Sequence, residues 1–188
     1  MTDYRSVSLR EYLEALAAKV SVPGGGSAAA LDAALGAALV SMVINFTVGK
    51  PRYVRYEKEL KTALEKSEKL REEFLNLVDL DAAAYNSGNL RDAIDVPFMV
   101  CRLCFEGARL LPPLVRKSNP NLISDVAVAA VLLESAFSAA YFNVRINLKP
   151  LSDKKMGSRI NKELLFKEKA IKKIRRETEA KVGKIIRG

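Results

Sequence analysis

Two stretches of this chain, 28–46 and 126–142, run through Ala, Gly, Val and Leu with a single charged residue each, Asp32 in the first and Glu134 in the second. Neither shows the strict alternation of a half-buried strand, and both are apolar at every azimuth of a helix. A helix without a polar side has two places to go, the centre of a bundle or a lipid bilayer. Alanine and glycine are weakly hydrophobic, and Asp32 and Glu134 would be costly in lipid. Two central helices enclosed by others in a soluble all-α bundle are therefore expected, with small side chains that let neighbouring backbones come close.

The remaining sequence supplies the enclosing helices. "SVSLREYLEALAAK" opens with a capping box, Ser8 with Glu11, and sets Leu9, Leu13 and Leu16 at helical spacing. Pro23 closes that segment, and Ser27 is placed to cap the first central helix, which runs to about Thr47. The stretch 53–88 is amphipathic, with Leu60, Leu64, Leu70, Phe74 and Leu77 on one side and Glu/Lys pairs on the other. A fourth helix is expected to open at Val96–Pro97 and close near Pro112–Pro113. Ser124 or Asp125 would cap the second central helix, and a basic helix follows "NLKPLSD". The expected fold is all-α, a multihelical bundle of about six helices.

The charge is unevenly placed. The net +9 of the 188 residues falls within 149–188, and the body before it is neutral. We therefore expect a body over 1–152 and a C-terminal basic helix over 153–188, packed on the body or on a partner subunit because Ile160, Leu164, Ile171, Ile174 and Val182 recur at helical spacing. Contact of that tail with nucleic acid or an acidic membrane is the weaker reading, since Phe166 is the one aromatic among its basic residues. The first 20 residues hold no apolar h-region, so a cytoplasmic protein without a signal peptide is expected.

The chain has no histidine, which excludes a Ser-His-Asp triad and any histidine-based metal site. Cys101 and Cys104 lie in an apolar helical stretch with no further cysteine, and read as two buried thiols. Acid–base chemistry then falls to a carboxylate with a raised pKa, a lysine, a cysteine or a tyrosine. Polar residues stranded among apolar ones are the candidates. Asp81 sits where the third helix turns small and apolar. Asn119, Asn121 and Asp125 stand at the entrance of the second central helix, and Asn143 and Asn147 at its exit, one turn apart on one face. Gly24, Gly25, Gly26 and Ser27 stand at the entrance of the first. Each polar residue also has a plain structural reading, Ser27 and Asp125 as caps and Asn143 as a helix terminator. Three consecutive glycines exceed what a turn needs and suit close approach of a ligand to the backbone.

Taken together, "VPGGGSAAALDAALGAALVSMVINFTVGK", "DLDAAAYN", "NPNLISDVAVAAVLL" and "NVRINL" resemble, in the same order from about residue 7 to 150, the cyclodeaminase domain of formiminotransferase-cyclodeaminase and the stand-alone methenyltetrahydrofolate cyclohydrolases. The resemblance implies an all-helical homodimer whose substrate is a tetrahydrofolate derivative. It also implies ring closure of the formimino group with loss of ammonia, or hydrolysis of the methenyl bridge, by acid–base catalysis without a metal. Carried over by position, Asp81 and Asp125 would be catalytic, and Gly24, Gly25, Gly26, Ser27, Asn143 and Asn147 would bind substrate, with Asn119 and Asn121 beside them. One stretch departs from the family pattern: between Asn86 and Val96 the family carries a longer segment with a basic-Leu-Pro-Lys motif, where this chain has "SGNLRDAID". Two other readings stay open at this point, a non-catalytic helical dimer that binds folate or another anion and a helical interaction protein with a basic tail.

Overall fold

The computed structural model describes residues 3–188, which form seven α-helices and, among the described residues, no strand. They are α1 (Leu9–Ala17), α2 (Gly25–Asn45), α3 (Glu57–Ser87), α4 (Leu90–Ala108), α5 (Leu111–Lys117), α6 (Ile123–Asn147) and α7 (Lys154–Arg187). The fold is all-α as expected. A seventh helix appears because the helix expected to close near Pro112–Pro113 ends at Ala108, and Leu111–Lys117, which holds both prolines, forms a helix of its own after Arg109–Leu110. Helix α4 also begins earlier than Pro97 suggests. Asn89 caps it by accepting from the Arg91 N–H at 2.8 Å, and Pro97 is accommodated within the helix.

The capping box of α1 forms as the sequence predicts: the Glu11 N–H donates to Ser8 Oγ at 3.2 Å, and the Ser8 N–H donates to Glu11 Oε2 at 2.8 Å. Its apolar stripe does not behave as expected. Leu9 and Leu13 are exposed, and the side chain that α1 buries is Tyr12.

Helix α2 packs against α3 on one side and α6 on another, while α6 also packs against α4 and α7. Alanine and glycine make the close approaches possible. A Cβ at Gly36 of α2 would stand 2.8 Å from Cγ of Leu133, and one at Gly107 of α4 would stand 3.3 Å from that residue's methyls. Leu133 of α6 is thus held between glycines on two neighbouring helices and is fully buried. Deeper along the α2–α3 contact, Ser41 Oγ donates to Ser67 Oγ at 3.1 Å, and Ser67 Oγ donates to the Ala37 carbonyl at 2.8 Å. Every hydroxyl in that seam is satisfied, as burial requires.

The two central helices are not fully enclosed. By length and composition α2 and the stretch Pro120–Asn147 would each suffice to cross a membrane, yet only 61% and 44% of their most apolar windows are buried within the fold. Leu35, Phe46, Val128, Phe142 and Ile146 remain exposed on a common outer side.

Helix α7 lies along α6, α4 and α5 and buries Met156, Ile160, Leu164, Ile171 and Val182. Two ion pairs fasten it. Arg102 makes a bidentate pair with Glu163, both bonds at 2.8 Å. Arg175 donates to Glu134 at 2.8 Å, and Glu134 also accepts from Ser138 Oγ. The charge that looked out of place inside the second apolar stretch is therefore the anchor of the basic helix. The cysteines are free and buried, and burial pushes both thiols well above their ordinary pKa.

Candidate active site

At one end of the bundle the N-terminus of α2, the C-terminal part of α3 and the C-terminus of α6 enclose a cleft of about 270 Å³. Gly24, Gly25, Gly26, Asp81, Asn143 and Asn147 line it, together with Tyr85 and Ala93. These polar groups come from regions more than fifty residues apart in sequence. They meet because α2 and α6 lie side by side and antiparallel, so the start of one adjoins the end of the other.

Asp81 is the chemical centre of this cleft. The Ser27 N–H donates to its Oδ2 at 2.8 Å. Ser27 is therefore not the N-cap that the sequence suggests. Helix α2 begins three residues earlier, with Gly24 as the capping position, and Gly24 offers no side chain. The capping acceptor comes from α3 instead, and Asp81 fills that place. An anion at the N-terminus of a helix is favoured by the unpaired N–H groups there.

Three glycines allow this arrangement, though not through backbone conformation. None of the three has a positive φ, and Gly24 is extended. What matters is the missing side chain. A Cβ at Gly26 would stand 2.0 Å from Asp81 Oδ1 and 2.6 Å from its Cγ, so the carboxyl lies flat against bare backbone. A Cβ at Gly25 would meet only the Asn143 amide, at 3.6 Å. The N–H groups of Gly25 and Gly26 have no acceptor among the described residues. They form a pair of free donors beside the carboxyl and are available to a ligand.

Burial raises the Asp81 pKa above the ordinary carboxylate value, and the Ser27 N–H opposes the rise. Behind the cleft, the Tyr12 hydroxyl lies 3.0 Å from Ser27 Oγ in a fully buried contact. Burial raises the Tyr12 pKa too, the Ser27 contact lowers it, and the nearby Asp81 charge adds to the rise. Tyr12 thus fixes the residue whose backbone holds the carboxyl. Its importance was not visible in the sequence, where Leu9 and Leu13 mark the apolar stripe.

The asparagines divide in function. Asn147 Nδ2 donates to the Ala93 carbonyl at 2.6 Å and ties the end of α6 to the first turn of α4. Asn143 Nδ2 donates to the Ala139 carbonyl at 3.1 Å within its own helix, which leaves its Oδ1 free toward the cleft. Neither residue ends the helix at position 143, since α6 continues to Asn147.

Asn119, Asn121 and Asp125 are not in this cleft. They lie at the other end of α6, with Asp125 about 27 Å from Asn143 along the helix axis. Asn119 caps the short 3-10 turn Pro120–Leu122, accepting from the Asn121 N–H at 3.2 Å, and its own N–H donates to Thr47 Oγ1 at 3.0 Å. Asp125 falls in the first turn of α6 rather than at its cap, a position held by Leu122. Within one chain, the reading that gathers all ten candidates into a single site is corrected: antiparallel packing sends the two ends of α6 to opposite ends of the bundle. The short 87–95 segment is also placed. It spans the junction of α3 and α4 and the first turns of α4, where Arg91 pairs with Asp95 at 2.5 Å and reaches Met156 rather than the cleft. Among the described residues no cluster of three potential metal-ligating side chains occurs.

Comparison with known proteins follows the same order of residues. The family described as formiminotransferase-cyclodeaminase matches residues 8–88 and 87–165. A methenyltetrahydrofolate cyclohydrolase of Methylorubrum extorquens is 36% identical over 84% of this chain and 86% of its own length. The formimidoyltransferase-cyclodeaminase of Rattus norvegicus is 32% identical over 78% of this chain, which spans only 31% of that larger protein. The crystal structure of formiminotetrahydrofolate cyclodeaminase from Thermotoga maritima superposes with a TM-score of 0.92 at 29% identity, covering 96% of this chain and 98% of that one.

Proposed function

Because the chain belongs to the formiminotransferase-cyclodeaminase family, we propose that the Asp81 cleft is the active site of a folate one-carbon enzyme acting on the carbon that bridges N5 and N10 of tetrahydrofolate. Hydrolysis of the methenyl bridge and ring closure of a formimino group with loss of ammonia share one demand. A nucleophile adds to an electron-poor carbon, and protons then move between the ring nitrogens and the leaving group. A carboxyl that burial holds above its ordinary pKa suits that task, since burial makes it a stronger proton acceptor than a solvent-exposed carboxylate. Asp81 in its glycine cradle is the observation that carries this reading.

The other parts have matching uses. The free N–H groups of Gly25 and Gly26 offer two donors to a carbonyl or carboxylate edge of the substrate. Asn143 Oδ1 accepts from a ring N–H and orients the reacting carbon. Positioning of this kind supplies a large share of the acceleration in such additions. General acid–base catalysis suffices, so the proposal includes no metal. It places the enzyme in the cytoplasm as a homodimer, with nucleic acid and membrane outside its role.

Two similar proteins are matched along most of their own length, one named a methenyltetrahydrofolate cyclohydrolase and one a formiminotetrahydrofolate cyclodeaminase. The first has the higher identity, so hydrolysis of the methenyl bridge is the activity to assay first. Loss of methenyltetrahydrofolate absorbance on adding the protein tests it directly. The expected result is turnover in the wild type and none in Asp81→Asn. Equal turnover in both would remove Asp81 from the chemistry.

A further inference from the structure

The connection from α1 to α2 leads into the glycines of the cleft, yet its own backbone does little to hold it. Over residues 21–23 no backbone–backbone hydrogen bond forms among the described residues. Glycine loses more conformational freedom on ordering than any other residue, and Gly24, Gly25 and Gly26 follow in a row. The cleft uses them for space rather than for conformation, so their mobility has to be restrained from outside.

The restraint comes from a side chain that the proposed chemistry does not use. The Tyr4 hydroxyl donates to the Val22 carbonyl at 3.1 Å, the one hydrogen bond to residues 21–23 among the described residues. Val22 lies three positions before Gly25. On the far side, the buried contact of Tyr12 with Ser27 falls one position after Gly26. The two anchors bracket the free N–H groups of Gly25 and Gly26. They are also joined to each other, because the Tyr4 and Tyr12 rings meet edge to face with centroids 6.1 Å apart and planes at 86°.

Tyr4 is held in turn by α3. Asp79 accepts with both oxygens, from the Tyr4 N–H at 2.7 Å and from Arg5 Nε at 2.7 Å. Arg5 also reaches Asn76, one turn earlier on that helix. The Asp79 side chain is only 15% exposed, so these charge-assisted bonds are largely shielded from solvent. Residues two apart on a helix do not share a face, so Asp79 and Asp81 work on different sides of α3. A single turn of α3 thus carries both the carboxyl against the glycines and the carboxyl that seats their tether.

We propose that Tyr4 is a positioning residue of the cleft: seated on Asp79, it pins the Val22 carbonyl and keeps the Gly25 and Gly26 N–H groups aimed at the bound substrate. Those donors grip substrate and transition state alike, so the tether sets affinity more than the rate of the chemical step. Its part in turnover rests on the folate reading, while the tether itself stands without it.

Tyr4→Phe tests the assignment, because it keeps the ring on Tyr12 and deletes one hydroxyl. With methenyltetrahydrofolate, KM should rise about 3–10-fold, the worth of one neutral hydrogen bond, while kcat stays within about twofold. A purely structural role would lower kcat through loss of folded enzyme and leave KM unchanged, and that result would overturn the proposal. Asp79→Ala should raise KM as well, and Asp79→Asn, which keeps an acceptor for the Tyr4 N–H, should recover much of the difference. A wild-type KM in Asp79→Ala would overturn the seating on α3. A second readout needs no turnover: the amide order parameters of Gly25 and Gly26, from nitrogen-15 relaxation, should fall from ~0.85 in the wild type toward ~0.6 in Tyr4→Phe. Equal order parameters in the two proteins would overturn the tether. A wild type without turnover, whose glycines still loosen in Tyr4→Phe, would reject the folate reading and leave the tether standing.

Discussion

Replacing Gly26 by alanine isolates what the glycine run is for. The added methyl would stand 2.0 Å from Asp81 Oδ1 and 2.9 Å from Oδ2, so the short side chain must leave its position. In moving, it gives up the 2.8 Å bond from the Ser27 N–H, and a hydrogen bond to a charged group contributes about 1.5–3 kcal/mol. Alanine in the first turn of α2 returns up to about 1 kcal/mol of helix propensity. The net loss is then about 0.5–3 kcal/mol, which for a domain of this size lowers Tm by roughly 1–12 °C. Turnover should fall by about 10²–10⁴-fold, the usual contribution of a positioned acid–base group. Gly25→Ala is the matched control, because its methyl meets only the Asn143 amide at an ordinary 3.6 Å. It should be as stable as wild type or slightly more so. Paired thermal melts and the absorbance assay read both variants. A Gly26→Ala protein with wild-type Tm and turnover would show that the carboxyl does not depend on this contact, and the account of the cleft would fail.

Three further outcomes follow from contacts described above. Burial raises the folded pKa of Asp81, so this group's contribution to stability is fully present below its unfolded pKa of about 3.9 and is lost as pH rises through the folded value. Asp81→Asn should accordingly gain stability relative to wild type as pH rises above about 4, and parallel melting curves would contradict the assignment. Arg175→Ala leaves the buried Glu134 with only Ser138 and should cost about 1–2 kcal/mol once screening at the half-exposed arginine is allowed for. Glu134→Gln in the same chain should recover part of that loss in a denaturant titration. A chain ending at Asp153 forfeits Ile160, Leu164, Ile171 and Val182 from the core, at ~1.5–3 kcal/mol each, which approaches the whole stability of a typical domain. Circular dichroism should find it unfolded or aggregated; a cooperative melt near the wild-type temperature would show the helix to be dispensable.

Most helices could be read along the chain because their determinants are local: a capping box at Ser8 and Glu11, an amphipathic repeat from Leu60 to Leu77, and proline or glycine at the ends. The boundaries that differed were fixed by distant residues. No linear rule reveals that Asp81 caps α2 from another helix, or that α4 continues through Pro97. The site was half legible for the same reason. Asp81, the glycines and Asn143 betrayed themselves as polar or bare positions in apolar surroundings. That criterion gives no indication of which end of a helix meets which, so it grouped Asp125, Asn119 and Asn121 with residues at the far end of α6. Tyr12 escaped notice because its role is to hold Ser27, a contact that periodicity cannot encode.

The grip of Gly36 and Gly107 on Leu133 has a bearing on how such a protein can change over time. One branched side chain pins three helices at a single crossing point, well away from the cleft, and the helices extend from it like the blades of shears. A bulkier residue at either glycine would splay them, and the displacement would grow with distance toward the tips where Gly25 and Asn143 stand. The spacing of the reactive groups is thus governed from a fulcrum that touches none of them. Variants recovered for altered turnover should include substitutions at this pivot as well as in the cleft lining.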